Sequence, residues 1–314
     1  MALDYGKELD FSSEFFSLYK VSNNTYGAIS KENSGMGGNA GFVDLGDIAV
    51  LIDTTMSEEA AKDLRKAVIQ YTGKNPKFIV ITHYHLDHVV GNSVFDSSIS
   101  IITSERTLNN IKVENAKRIK DIRNTSTEEV DKMEESLKSE IDEEKRKEIE
   151  NELNFIKLVK DESFALRNPD LCFRKELILH GKDRDLHIHT FQKAHTNGDV
   201  VVYVPDDEVL FAGDLLFARS DPWLGSGDPD GWISVIDKIL AMNFATVVPG
   251  HGNLASKKEF SLEKKYIREI IQLAKNHLKT GDPIKREDFS SDLKKWTSPV
   301  LQWNIDFLEN FLKK

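Results

Sequence analysis

Short stretches in which apolar and polar residues alternate open the chain. "FSLYKV", "YGAIS" and "GFVDLGDIAVLIDTT" predict strands, the last a hairpin turning at Gly46-Asp47. The spacing then becomes helical in "SEEAAKDLRKAVIQYTG": Ser57 is placed to cap the start, Glu58 and Glu59 fall in the first turn, and Gly73 ends it. "KFIVITHYH" begins as the unbroken apolar run of a buried strand. After residue 180 the strand pattern resumes in "LHIHTF", "DVVVYV" and "EVLFAGDLLF", followed by a helix, "GWISVIDKILAM", and a strand, "ATVVPGHG". The last sixty residues read as helical, with "FSLEKKYIREIIQLAKNHL" and "SPVLQWNIDFLENFL" both amphipathic.

Residues 112–162 differ in kind. Twenty-eight of these 51 are charged, and no proline occurs between Pro76 and Pro169. Val130, Met133, Leu137 and Ile141, then Ile149, Leu153 and Ile156, recur in steps of three and four, which puts them on one helical face. Two readings stay open: a solvated helical hairpin packed on the body, or an arm that serves as a lid or a homodimer contact. No linker separates the halves around it. Two strand–helix halves flanking an insertion predict one α/β sandwich of two sheets covered by helices. Residues 1–255 would form that domain, with 105–180 as the helical insertion and 256–314 as a helical extension.

The net charge of −10 gives no basic footprint for non-specific nucleic-acid binding. The single cysteine, Cys172, excludes an internal disulfide and suits a reducing compartment. No stretch reaches the roughly 18 apolar residues of a membrane span, and "MALDYGKELDFSSEFF" has no apolar core of signal-peptide length. The expectation is a cytoplasmic protein. "SGMGG" (34–38) is glycine-rich but lacks the pattern of a phosphate-binding loop.

Chemistry concentrates in "ITHYHLDHVVGN", where His83, His85, Asp87 and His88 crowd into six positions at the end of a predicted buried strand. Three further donor residues sit at strand ends beside glycines: His195 in "AHTNGD", Asp214 in "FAGDLLF" and His251 in "VPGHG". His187 and His189, in a strand without a flanking acid or glycine turn, read as ordinary strand residues. A set of imidazoles and carboxylates without thiolate suits borderline cations, zinc first, with iron or manganese also compatible. Two such ions about 3.5–4 Å apart, sharing a carboxylate, are the usual hydrolytic arrangement for this many donors.

"HYHLDH", "AHTNGD", "FAGDLLF" and "VPGHG", in that order, resemble the successive metal motifs of the metallo-β-lactamase superfamily. The resemblance runs from about residue 35 to 252, and "GFVDLGDIAVLIDTT" is similar to that family's opening hairpin. It implies a four-layer αββα sandwich with the site at one edge. By the resemblance, a first metal takes His83, His85 and His195, a second takes Asp87, His88 and His251, and Asp214 bridges them. Asp53 would orient a ligand histidine. Two divalent cations against Asp87, Asp214 and a hydroxide leave the site net positive, suited to developing negative charge. Asp87 would orient the nucleophile and pass its proton to the leaving group.

Departures from the family narrow the substrate. Members with a cysteine at the bridging position carry a lysine three residues on to hold a drug carboxylate; here those places are Asp214 and Phe217. "PGHGN" departs from the pattern of the glutathione-thioester hydrolases. Di-iron oxygen-reducing relatives replace His85 by glutamate, and sulfur dioxygenases use fewer ligands. What remains is a small-molecule acyl substrate: an ester, lactone or thioester, with phosphodiester cleavage or iron-dependent sulfur oxidation as alternatives. Trp223 and Leu224, in "ARSDPWLGSGDPDGW", would wall the pocket with Phe217, and Met36 with its glycines would form a flap opposite.

Overall fold

The computed structural model describes residues 5–296 and 300–313. Its first half contains β1 (Lys7–Glu8), β2 (Phe16–Lys20), β3 (Thr25–Ser30), β4 (Ala40–Asp44) and β5 (Ala49–Ile52). Helix α1 (Glu58–Thr72), β6 (Pro76–Val80), the single turn α2 (Leu86–Val89) and β7 (Ser100–Ser104) follow. The helical arm is α3 (Glu105–Asn110), a π-helical turn Ile111–Asn115, α4 (Ala116–Arg123), α5 (Thr127–Ser139) and α6 (Glu143–Lys160). The second half holds β8 (Leu171–Phe173), β9 (Glu176–His180), β10 (Asp185–Thr190), β11 (Val200–Val204) and β12 (Val209–Phe217). Then come α7 (Pro229–Leu240), β13 (Thr246–His251), α8 (Lys257–Thr280) and α9 (Leu301–Phe311).

Strands β1 to β8 lie in sequence order in one sheet, antiparallel as far as β5 and parallel from β5 to β8. The other sheet runs β13-β12-β11-β10-β9, with only β12 and β13 parallel. The strands explain the layers. In β5, Leu51 faces α1 while Val50 and Ile52 face the opposite sheet, so both surfaces are apolar. In β10, Leu186 and Ile188 enter the inter-sheet core while His187 and His189 point away from it. Helices α7, α8 and α9 cover the second sheet around Trp232, Tyr266 and Ile267. The result is the expected αββα sandwich. Helices α8 and α9, at the C-terminal end, share the second core with α7.

Helix α1 ends as its sequence predicts: the Ser57 side chain accepts from the Ala60 N–H, and Gly73 closes the helix in the left-handed region at φ 70°. The arm is shorter than expected. Its helices stop at Lys160, and β8 and β9 belong to the two sheets, so residues 171–180 are not helical. Ile141, expected on the arm's apolar face, is 98% exposed, because α5 ends at Ser139 and Asp142 caps the start of α6. Ser298 and Pro299 of the last expected helix lie outside the described residues. No described helix is long and apolar enough to cross a membrane.

Candidate metal centre

Strand β6 ends at Val80, and the chain leaves it as a short loop before α2, which places His83, His85, Asp87 and His88 at the edge of the first sheet. The second sheet contributes the rest. His195 lies in the β10–β11 loop, Asp214 in β12 and His251 at the end of β13. The register of β12 against β13 shifts on both sides of Gly213, and this bulge, with φ 52° at the glycine, turns Asp214 toward the histidines.

The seven side chains form two four-membered groups that share Asp214. In the first, His83 Nε2 lies 3.1 Å and His195 Nε2 2.9 Å from His85 Nδ1. The same two nitrogens lie 3.4 and 3.3 Å from Asp214 Oδ2. In the second, Asp214 Oδ1 stands 3.1 Å from His88 Nε2 and 3.4 Å from His251 Nε2, and Asp87 Oδ2 stands 3.4 and 3.2 Å from them. Tetrahedral cages with metal–donor bonds of about 2.0–2.1 Å have edges of about 3.3 Å, so both groups have the size of a zinc-type cage. His88 Nε2 and Asp214 Oδ1 are buried and have no hydrogen-bond partner. Orphaned polar atoms of this kind are costly unless something else satisfies them, and a divalent cation does. The donors therefore fit two such ions. Each group draws two donors from each sheet, Asp214 being counted in both.

In four of the five histidines the nitrogen turned away from the centre is held in place. His88 Nδ1 donates to Asp53 Oδ2 at 2.9 Å. His83 Nδ1 lies 3.1 Å from Thr82 Oγ1, whose hydroxyl donates to Asp53 Oδ2. His195 Nδ1 donates to the Trp223 carbonyl at 3.1 Å, and His85 Nε2 lies 3.1 Å from Ser226 Oγ. These contacts fix ring orientation, so that a bound cation would meet the lone pairs of the site-facing nitrogens. Two glycines supply clearance: a methyl on Gly38 would stand 2.3 Å from the His88 ring, and one on Gly250 2.0 Å from Asp214 Oδ1.

Burial divides the histidines by charge. It pushes His85 down to about 3, with the neighbouring His83 adding to it, and holds His195 well below the usual value despite Asp214. For His88 and His251 burial acts the same way, but nearby carboxylates outweigh it. Asp214, Asp87 and Asp53 raise His88 well above its ordinary value, and Asp214 with Asp87 raises His251 to about 9. Asp87 and Asp214 stay ionised: burial opposes this, and the surrounding histidines overcome it. Without a cation, two imidazolium protons thus balance two carboxylates, and metal entering the second group must displace them.

The Asp214 side chain is 3% exposed, whereas Asp87 keeps 24% and His251 28%. Together with half-buried His85 they form the open edge of the site. Of the expected pocket residues, Phe217 is buried beside it, stacked on His251 at 4.8 Å and tilted against His195 at 5.7 Å. Trp223 meets the site through its carbonyl, while its ring packs on Trp303. Leu224 is fully buried in the second core. Met36 likewise does not form the flap surface: its side chain is buried beneath the first sheet, and of the neighbouring glycines only Gly37 is exposed, while Gly38 is buried against the His88 ring.

Five supports carry no mark in the sequence. Thr82, Ser226 and the Trp223 carbonyl hold histidines, as above. Asn115, at the end of the π-helical turn, donates to the Tyr84 carbonyl between two ligands at 2.6 Å. Asn39 donates to the carbonyls of Pro249 and Gly252 on either side of His251.

The family model of the metallo-β-lactamase superfamily matches residues 34–106 and 111–251, and the chain belongs to that superfamily, whose members are mostly metallo-hydrolases. Among solved structures it is similar to a metallo-β-lactamase from Pontibacter korlensis, 19% identical over 84% of this chain and 99% of that one, with a TM-score of 0.55. It is also similar to VMB-1, 18% identical over 82% of this chain and 98% of that one, with a TM-score of 0.58. At these identities the likeness is one of fold.

Proposed function

We propose that the chain is a two-metal hydrolase that opens the carbonyl of a small ester, lactone or thioester. The observation that carries this reading is Asp214, whose two buried oxygens each complete a different four-donor group beside a half-exposed edge. Two divalent cations, zinc being the best match to the donors, would supply an activated water and a polarised carbonyl oxygen there. Asp87 sits at that edge as an ionised carboxylate. Its Oδ2 faces His88 and His251, and the remaining oxygen, Oδ1, orients the attacking water and receives its proton for the leaving group. Phe217 excludes water from the inner side by filling the space between His195 and His251. No serine or cysteine nucleophile is required, and Cys172 is an exposed residue of β8.

The reading is tested by turnover of a homoserine lactone, an acyl thioester, an aryl ester and a phosphodiester, with metal-stripped and zinc-restored protein side by side. Zinc-dependent turnover of a carbonyl substrate is expected. Turnover of the phosphodiester alone would reassign the reaction to phosphoryl chemistry. Metal bound with no turnover at all, but oxygen uptake with a persulfide and iron, would replace hydrolysis by oxidation.

A further inference from the structure

A cavity of about 1010 Å³ lies beside the site. Loop 31–37 and the start of α1 bound one side, and α4 and α6 of the arm bound the other. Its inner end adjoins the open edge of the second group. Gly252, which follows His251, lines it, and so does Gly37, which is close enough to Asp87 that a methyl there would stand 2.6 Å from the aspartate Cβ. Phe15, Met56, Ile122, Phe155, Ile156 and Leu158 give the cavity an apolar lining.

Its charged residues are unevenly engaged. Lys31 donates to the Ser13 carbonyl, Glu58 accepts from Ser93, and Glu59 pairs with Lys62. The exposed rim residues Glu32, Asp121, Glu152 and Arg118 have no ion-pair partner among the described residues, which leaves the uncommitted charge net negative. The two walls are tied together. Asn151 of α6 donates to the Asn33 carbonyl at 3.0 Å, and Gly35, at φ 76°, packs against the Asn151 amide where a Cβ would stand 2.9 Å from its oxygen.

We propose that this cavity holds the non-reacting part of an amphiphilic substrate, an apolar chain ending in a neutral or cationic head, and discriminates against polyanionic substrates such as phosphorylated thioesters. The inference rests on the proposed hydrolysis for the reacting end only. An apolar chain gains about threefold to fourfold in affinity per buried methylene. A cationic head is attracted to the rim carboxylates, and an anionic one is repelled.

The test is calorimetric titration of the zinc-loaded full chain with decyltrimethylammonium, decyl glucoside and decyl sulfate, each below its micelle concentration. Saturable binding is expected, with the sulfate weaker than the ammonium by about tenfold or more. The paired substitution Asp121→Asn with Glu152→Gln should close most of that gap. Glu143→Gln with Glu144→Gln removes the same charge from residues that do not line the cavity and should leave the gap intact. Phe155→Ala should weaken all three probes alike. Absence of saturable binding, equal binding of the three heads, or a gap that survives the rim substitutions would overturn the proposal. Probe binding needs no turnover. A chain that selects the cation yet hydrolyses no carbonyl substrate keeps this inference and loses the proposed reaction, while hydrolysis of decanoyl esters regardless of head charge does the reverse.

Discussion

Each oxygen of Asp214 belongs to a different group of donors, so removing the carboxylate takes one ligand from both. The first group then keeps buried His83 and His195 with His85, whereas two of the second group's remaining donors, Asp87 and His251, are half-exposed. Asp214→Ala should therefore lose metal mainly from the second position and lower turnover at least ~100-fold, about 3 kcal/mol of barrier. Metal analysis and kinetics on one preparation decide it; two ions retained with full activity would sink the bridging assignment. Gly250→Ala tests the same carboxylate from behind. Its methyl would stand 2.0 Å from Asp214 Oδ1, and overpacking of this kind costs about 1–3 kcal/mol. The variant should lose most of the rise in melting temperature that zinc gives the parent, and an unchanged rise would show that the backbone moves aside. The ligands themselves were legible because four crowd one short motif and the other three stand at strand ends near glycines. Their supports were not: a threonine hydroxyl and the carbonyl of a tryptophan have no signature, since a carbonyl is available at every position.

Among the elements, the loop after β12 shows how a distant segment bears on the site. Asp221 in that loop is fully buried and bound by both terminal nitrogens of Arg286, and Asn304 of α9 pins the same loop through Leu224 N–H and the Pro222 carbonyl. Through Trp223 this loop holds His195. Arg286→Met leaves Asp221 buried without its cation, a change that costs about 3–5 kcal/mol. Denaturant unfolding should show that loss, and metal titration should show the first position weakened more than the second; equal weakening would mean that the loop does not act through His195. Period-two alternation made the strands and the hairpin readable, and caps made α1 readable to the residue. The arm was readable as helix but not in its placement. Its apolar face packs on Leu86 and Val90, on either side of Asp87 and His88, and nothing within residues 112–162 says which surface they will meet. Strands β8 and β9 escaped notice because β8 has only three residues and because, in β9, apolar Ile178 stands on the outward face between inward Leu177 and Leu179, which masks the alternation in the sequence.

For the molecule as a whole, the net charge of −10 excludes little about the site, whose inner groups answer to their immediate neighbours. One buried acid makes stability depend on pH. Asp199, which accepts from the backbone and hydroxyl of Thr196, is pushed up from 3.8 to about 6 by burial, with His83 and those hydrogen bonds opposing it. The folded carboxyl holds its proton more tightly than the unfolded one. Its contribution is thus complete below about pH 3.8 and lost as the pH rises through about 6, amounting to about 3 kcal/mol at most. The stability of the parent relative to Asp199→Asn should fall by that order between pH 4 and 6.5 in urea unfolding, and a difference independent of pH would contradict it. The two-plus-two division of donors between the sheets bears on assembly. Neither sheet alone offers more than two ligands to either ion, so a chain whose sheets dock out of register holds no tight site. Metal capture then proofreads folding: under a limiting supply of cobalt, colour would count only the correctly docked molecules, and misassembled ones would stay dark.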